Sequence, residues 1–388
     1  MARIAFLGDL HAGKGLDLFQ GRLAEQEAAL DAALDIARTA GCDAVVTLGD
    51  LWDKRSPTPD EVLAVVRPLR RHRNGGGCEV FGISGNHEIS SADGGTMPGA
   101  VGVTGLIEIF PEPSVRVVAD TAVCLLPLVP TSRLDLALEQ RHGGRVDRDE
   151  LFTLAAELLV EIASGLVQVD APRKVLGLHW SVSQTALPSG LPVDGLREVV
   201  LPMDGLLALG FDAIVGAHIH RPGLYGDRFA YVGPPLPLDF GRADGDHGVW
   251  IVDTTGLGTQ FELVPIASPP FVTLDLDARE VEAMAAGTMP QIIVPGGNHG
   301  GYIRVRYEAT EAQARRIDKS ALRCWVEQDL GWTRCDTEDT VERPHRERGA
   351  VLDSAGSRID QLAAYLEASG VNGSTGAAML ERAEEYIS

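Results

Sequence analysis

Five apolar runs in this chain each end on residues of the kind that bind metal ions. IAFLG leads into Asp9 and His11, AVVTLG into Asp50, VFGIS into Asn86 and His87, VLGL into His179, and AIVGA into His218 and His220. Short apolar runs bounded by turn residues read as buried strands. In open α/β sheets the carboxyl ends of the strands line one crevice, so groups far apart in sequence converge there. A chain of this kind is constrained to a layered, partly parallel sheet. Carboxylates, an amide oxygen and imidazoles at a shared rim imply a pair of divalent metals, and with them hydrolysis of a phosphate ester.

The remaining totals set bounds on that reading. At 388 residues the chain holds one large domain and one or two smaller ones. No apolar run approaches the roughly 20 residues needed to span a bilayer, so no membrane association is expected. MARIAFLGD carries one Arg before a strand that already ends on Asp9, which is not the pattern of a cleaved leader. Five cysteines form no CxxC pair. Cys42, Cys78 and Cys124 lie in or beside apolar runs and read as small buried hydrophobes, leaving Cys324 and Cys335 as the one candidate disulfide; a reducing cytoplasm is expected. The net charge of −21 argues against simple nucleic-acid binding and predicts a weak grip without a partner. The basic run Arg67, Arg70, Arg71, His72, Arg73 could contact phosphates, but reads better as a solvated helix end.

The opening pattern is strand 2–8, helix 22–40, strand 43–48, a helix from SPTPDEV through Arg70, and strand 79–84. That order argues for parallel pairing. Residues 90–105, rich in Gly, Ser and Pro, read as a loop beside the site. Two short strands over 115–128 precede a helix over 147–166. Strands then follow at 173–178, 212–216, 229–232, 248–253 and 260–266 with little helix between them. Helices early and hairpins late suggest an α/β sandwich of two sheets flanked by helices. Composition changes near Ser268, where strand-like segments and a helix pattern over 311–330 suggest a small α+β domain. The expected division is 1–268, 269–341, and 342–388 as a charged linker with a helical tail over 358–369 and 375–387.

Taken singly, each motif has a bland reading: a lone histidine after a strand is more often a hydrogen-bonded core residue, and Asp50 could be a turn former. Five strand ends carrying such residues together reverse those odds. A D-x-H turn aims Asp9 and His11 at one ion, and the two oxygens of Asp50 can bridge two ions about 3.5–4 Å apart. Asn86 offers a neutral oxygen, and His179, His218 and His220 complete the set. His87 is left without a metal; beside one, it can protonate a leaving oxygen. Glu88 either orients His87 or is simply an exposed carboxylate, and the second reading is preferred.

In order and spacing these residues resemble the calcineurin-like metallophosphoesterases, whose blocks are D-x-H, G-D, G-N-H-[DE], a single His, and G-H-x-H; the resemblance covers residues 1–253. Within it, GDLWDKRSPTP and GAHIHRP followed by YVGPPLPLDFG look like the SbcD nuclease family. That resemblance implies Asp9, His11, Asp50 and His220 on one ion and Asp50, Asn86, His179 and His218 on the other, with His87 catalytic. Manganese is the implied metal, with magnesium, iron and zinc open to the same ligands. Asp53, Arg55 and Arg221 are candidates for supporting or substrate contacts; some relatives carry histidine at position 53. Ala217 stands where the family has Gly, and GNHE replaces the commoner GNHD. The resemblance further implies a 3′→5′ double-strand exonuclease and single-strand endonuclease in DNA repair and recombination. Its DNA-capping domain would follow residue 268, and its tail would bind an SbcC-like ATPase, in a homodimer within a heterotetramer. The alternatives are a small-molecule or protein phosphatase on the same site and a non-catalytic scaffold.

Overall fold

The computed structural model describes residues 2–16, 18, 19, 21–89, 96–187, 189–242, 246–289, 300–342, 357–368, 371 and 373–387. The chain opens β1 (Arg3–Leu7), α1 (Arg22–Thr39), β2 (Ala44–Thr47), α2 (Pro59–Asn74), β3 (Glu79–Ile83), α3 (Met97–Gly102) and β4 (Glu108–Phe110). It continues through β5 (Ser114–Val118), β6 (Thr121–Leu126), α4 (Thr131–His142), α5 (Arg148–Leu166), β7 (Arg173–His179), β8 (Ser181–Val182) and β9 (Val200–Leu201). Then come α6 (Met203–Ala208), β10 (Ala213–Ala217), β11 (Gly223–Tyr225), β12 (Phe229–Tyr231), β13 (Gly248–Asp253) and β14 (Gln260–Pro265).

These strands form two six-stranded mixed sheets, ordered β14-β13-β1-β2-β3-β4 and β11-β12-β10-β7-β6-β5. β1, β2 and β3 run parallel, as do β6, β7 and β10. Strand periodicity assigns the two faces of each sheet. Ile4, Phe6, Ala44, Val46 and Phe81 of the first sheet meet Val123, Leu125, Val175, Val215 and Ala230 of the second in one core between the layers. The alternate residues Ala5, Leu7 and Val45 turn outward beneath α1 and α2. On the second sheet Cys124, Leu126, Leu176 and Leu178 turn outward beneath α4 and α5. Burial on both faces explains the near-continuous apolar runs of these strands. The expected sandwich is therefore the observed one.

The basic run closes α2 as a helix end, with Arg67 and Arg71 paired to Glu27 and Arg71 also to Asp31, both acids on α1. The other end of α2 bears on the rim. Thr58 accepts from the Glu61 N–H at 3.4 Å while its own N–H donates to Glu61 at 2.7 Å, and the buried Trp52 indole donates to the Glu61 carbonyl at 2.9 Å. This capping box anchors the loop that follows Asp50. Thr58→Ala is expected to lower stability by about 1 kcal/mol, read as a fall in the urea midpoint; an unchanged midpoint would leave the anchoring to Trp52 alone.

Two assigned segments depart from expectation, and helices α4 and α6 are not foreseen in the sequence. Within the segment read as a loop, residues 97–102 form α3, started by Thr96, whose hydroxyl accepts from the Gly99 N–H at 3.1 Å; residues 90–95 lie outside the described ones. Downstream come β15 (Phe271–Asp275), α7 (Ala278–Ala285), β16 (Tyr302–Thr310), α8 (Glu311–Ala314), α9 (Lys319–Cys324) and β17 (Arg334–Glu342). Here the single helix expected over 311–330 is broken. Asp318 accepts from the Ser320 N–H at 2.9 Å and restarts the chain as α9. β15, β16 and β17 form a three-stranded sheet, and α10 (Arg358–Ala368) packs with α11 (Ser374–Ile387). The expected linker falls largely on residues 343–356, outside the described ones. The chain divides into two compact units, Met1–Leu274 with Val294–Val305 and Ala321–Thr337, and Asp275–Ile293 with Arg306–Ser320 and Glu338–Ser388. Among the described residues no helix is long and apolar enough to cross a membrane, and all five cysteines are free thiols.

Candidate metal centre

The loops after β1 and β2 continue side by side beyond their strands. The Asp9 N–H donates to the Gly49 carbonyl at 3.1 Å, His11 to Asp50 at 2.9 Å and Ala12 to Leu51 at 2.9 Å. The Gln26 side chain of α1 bolts the first loop down, accepting from the Gly13 N–H at 2.9 Å and donating to the His11 carbonyl at 3.1 Å. These loops, and the one after β10, bend sharply where they leave their strands. Among the described residues seven non-glycines have positive φ, and five of them are Asp9 (52°), His11 (48°), Asp50 (53°), His218 (98°) and His220 (57°). Such backbone stores about 1–3 kcal/mol at each position and persists only where its surroundings enforce it. Glycine makes room for the convergence: a Cβ on Gly85 would lie 2.2 Å from Asp50 Oδ1 and 2.6 Å from His179 Cε1.

Ligand atoms of Asp9, His11, Asp50 and His220 all lie within 4.8 Å of one another. His11 Nε2 faces His220 Nε2 at 2.8 Å, and Asp50 Oδ2 is 3.6 Å from His11 and 3.4 Å from His179. Asn86 Oδ1 is 3.0 Å from both His179 Nε2 and His218 Nδ1. Asp9 accepts the His218 N–H at 3.1 Å, tying the loop after β10 to that after β1. The side chains thus come from both sheets, and Asp9, His11, Asp50 and His179 are almost wholly buried.

Ring orientation follows from hydrogen bonds at the far nitrogens. His179 Nδ1 donates to the Leu48 carbonyl at 2.6 Å, leaving Nε2 to face inward. His87 Nδ1 donates to the Asp53 carbonyl at 2.8 Å, and its ring, about one-third exposed, meets His11 edge-on at 4.6 Å between centroids. Asp53 Oδ1 lies 3.2 Å from His11 Nδ1 and 3.8 Å from His87 Nδ1. Arg55 is exposed, and Arg221 is an exposed side chain donating to the Leu187 carbonyl at 3.2 Å; neither belongs to the converging group.

Burial and neighbouring charge work against each other here. Burial pushes the Asp9 carboxyl up from its ordinary value. Burial acts the same way on Asp50, but His179 and His11 outweigh it and hold that carboxyl well below the usual range. For His179 burial disfavours the charged ring, yet the Asp50 carboxylate overrides it and pushes the pKa up to about 9.

Glu88 and Glu198 carry no strand-end signal in the sequence, yet both belong to the site. Glu88, expected to be exposed, is 1% exposed. Its carboxylate accepts from the N–H groups of Asp50 (3.1 Å), Leu51 (2.6 Å), Trp52 (3.2 Å) and Gly85 (3.1 Å), lacing the β2 loop to the β3 loop. Burial, reinforced by the Asp50 charge, pushes its pKa up, while the N–H groups of Gly85, Trp52 and Leu51 pull the other way in favour of the carboxylate. Glu198 Oε1 stands 3.5 Å from His218 Nε2 and accepts from Ser181 Oγ. At Ala217 the departure from glycine has a local counterpart: a Cβ on Gly8 would lie 2.9 Å from the Ala217 methyl, so the two positions share one methyl's space.

A family model described as calcineurin-like phosphoesterase matches residues 2–222. The chain is 24% identical over 257 residues to the DNA double-strand break repair protein Mre11 of Methanopyrus kandleri, covering 63% of this chain and 51% of that protein. It is 23% identical over 263 residues to the SbcD component of nuclease SbcCD of Escherichia coli K12, covering 64% of each. A shorter stretch of 138 residues is 35% identical to Mre11 of Halobacterium salinarum, covering 35% of this chain and 34% of that protein. The chain therefore spans less than two thirds of these curated relatives. The family match takes in β1 through β10 and every residue that converges at the rim, and on that ground the chain belongs to the calcineurin-like phosphoesterases.

Proposed function

We propose that this chain is a metal-dependent DNA nuclease that hydrolyses phosphodiesters with two divalent ions. The observation that carries this reading is the donor set itself. Asp50 Oδ2 is buried and accepts no hydrogen bond, while imidazole nitrogens of His11 and His179 stand 3.6 and 3.4 Å from it. A buried carboxylate oxygen without a hydrogen bond is costly unless a cation satisfies it, and these donors fit one. Asp9, His11, Asp50 and His220 would hold one ion and Asp50, Asn86, His179 and His218 the other. Bound there, the ions supply Lewis-acid neutralisation of the phosphate and lower the pKa of water. Manganese suits this mix of oxygen and imidazole.

His87 carries the proton. Its Nδ1 is committed to the Asp53 carbonyl, so Nε2 is the nitrogen free to protonate the leaving 3′ oxygen, and its exposure lets substrate reach it. DNA as substrate is supported by the relatives, two of them named for double-strand break repair and one as a nuclease. The polarity proposed is 3′→5′ on duplex ends, with endonuclease action on single strands. A net charge of −21 gives little grip on phosphates, so an SbcC-like ATPase is proposed to supply it, docking on α10 and α11. Residues 269–341 are proposed as a DNA-capping domain, the assembly as a heterotetramer containing two copies of this chain, and the cytoplasm as its compartment.

Incubating end-labelled duplex and single-stranded DNA with the protein tests this reading. Shortening of label in manganese, abolished by a chelator, is the expected outcome. Hydrolysis of a small synthetic phosphodiester with neither DNA cleaved would overturn it in favour of a smaller substrate on the same site.

A further inference from the structure

Glu198 reaches the metal centre from a segment that is not one of the strand-end loops carrying the other residues. It lies two residues before Val200, which pairs with Ser181 in the parallel β8–β9 ladder; Ser181 is itself two residues beyond His179. Val182, Val199 and Leu201 are buried in the core outside the second sheet, and the Ser183 N–H donates to the Leu201 carbonyl at 2.8 Å. The small ladder therefore holds Glu198 in register with His179. From that position Glu198 Oε1 accepts from Ser181 Oγ and stands 3.5 Å from His218 Nε2. The opposite nitrogen of His218, Nδ1, lies 3.0 Å from Asn86 Oδ1, and that oxygen is 3.0 Å from His179 Nε2.

A neutral imidazole offers one lone pair and one N–H, and a partner at one nitrogen decides what the other can do. At His179 and His87 the partner is a backbone carbonyl, of Leu48 and Asp53. At His218 a side-chain carboxylate lies on the outer nitrogen, so here the control can be removed without touching the main chain.

We propose that Glu198 is a positioning residue for His218. Its carboxylate keeps the proton on Nε2, so that Nδ1 turns its lone pair toward Asn86 and His179 as a donor to the second divalent ion. This rests on the two-ion reading above. Carboxylates that orient ligand histidines alter metal affinity by about 10–100-fold when removed. Glu198→Ala is therefore expected to weaken the second ion by about that factor and leave the first unchanged. Glu198→Gln keeps a carbonyl that can accept the Nε2 proton and is expected to recover most of the affinity.

The measurement is a manganese titration of metal-stripped protein by calorimetry, with electron paramagnetic resonance to separate a coupled pair from an isolated ion. Thermal melting of the metal-free variants serves as the folding control. Two ions in the wild type, with an isolated-ion spectrum for Glu198→Ala at the same concentration and rescue by glutamine, is the expected result. A coupled pair in Glu198→Ala with both affinities unchanged overturns the inference while the two-ion reading stands. One ion in the wild type overturns both. Loss of both ions together with a lowered melting temperature, in the alanine and glutamine variants alike, would make Glu198 a folding residue and overturn the inference as well.

Discussion

We expect His87→Ala to slow cleavage of a phosphodiester by about 10²–10⁴-fold, the usual contribution of a placed general acid, with metal content unchanged. His87 Nδ1 faces the Asp53 carbonyl at 2.8 Å, and a carbonyl can only accept, so the proton there is fixed and Nε2 is the working nitrogen. Of the histidines at the centre, His11 and His179 are fully buried, whereas the His87 side chain is about one-third exposed. Single-turnover cleavage in saturating manganese, beside metal analysis of the same sample, separates the roles. A variant that loses metal would make His87 a ligand, as the short distances among His11, Asp53 and His87 would also permit. A variant with undiminished rate would remove His87 from the chemistry altogether.

The second large effect is expected from Glu88→Ala, and it is on stability. Four backbone N–H groups, of Asp50, Leu51, Trp52 and Gly85, share that one buried carboxylate. Each buried donor left without a partner costs roughly 1–3 kcal/mol. A single trapped water would satisfy some of the four and leave others bare, so a loss above about 3 kcal/mol is expected. It would be read from the urea midpoint at constant m-value. Glu88→Asp, one methylene shorter, is expected to fall between the two. A Glu88→Ala midpoint equal to that of the wild type would show that water replaces the carboxylate in full.

The strands and the rim are legible in the sequence because burial on both faces writes an uninterrupted apolar run, and a polar residue ending such a run stands out. The converging donors are legible for the same reason. Glu88 is not: glutamate is seldom fully buried, and nothing in GNHE shows that four N–H groups will surround it. Glu198 is less visible still, since it sits in GLREVV, a stretch without a strand-end pattern, and reaches His218 only through the β8–β9 ladder. Helix α4 escapes notice because its buried face is only Leu134 and Leu138, too sparse to set a period. The break at Asp318 is hidden by helix-forming residues on either side, where a local side-chain bond to the Ser320 N–H outcompetes continuation.

Because these side chains come from both layers of the sandwich, an ion held among them would act as a rivet, seated only when the two sheets are in register. Directly beneath the rim the layers meet at Gly8, Leu48 and Ala217, with less than a methyl group to spare. Ion affinity would then gauge how closely the sheets approach, with residues that have no chemistry of their own setting that spacing.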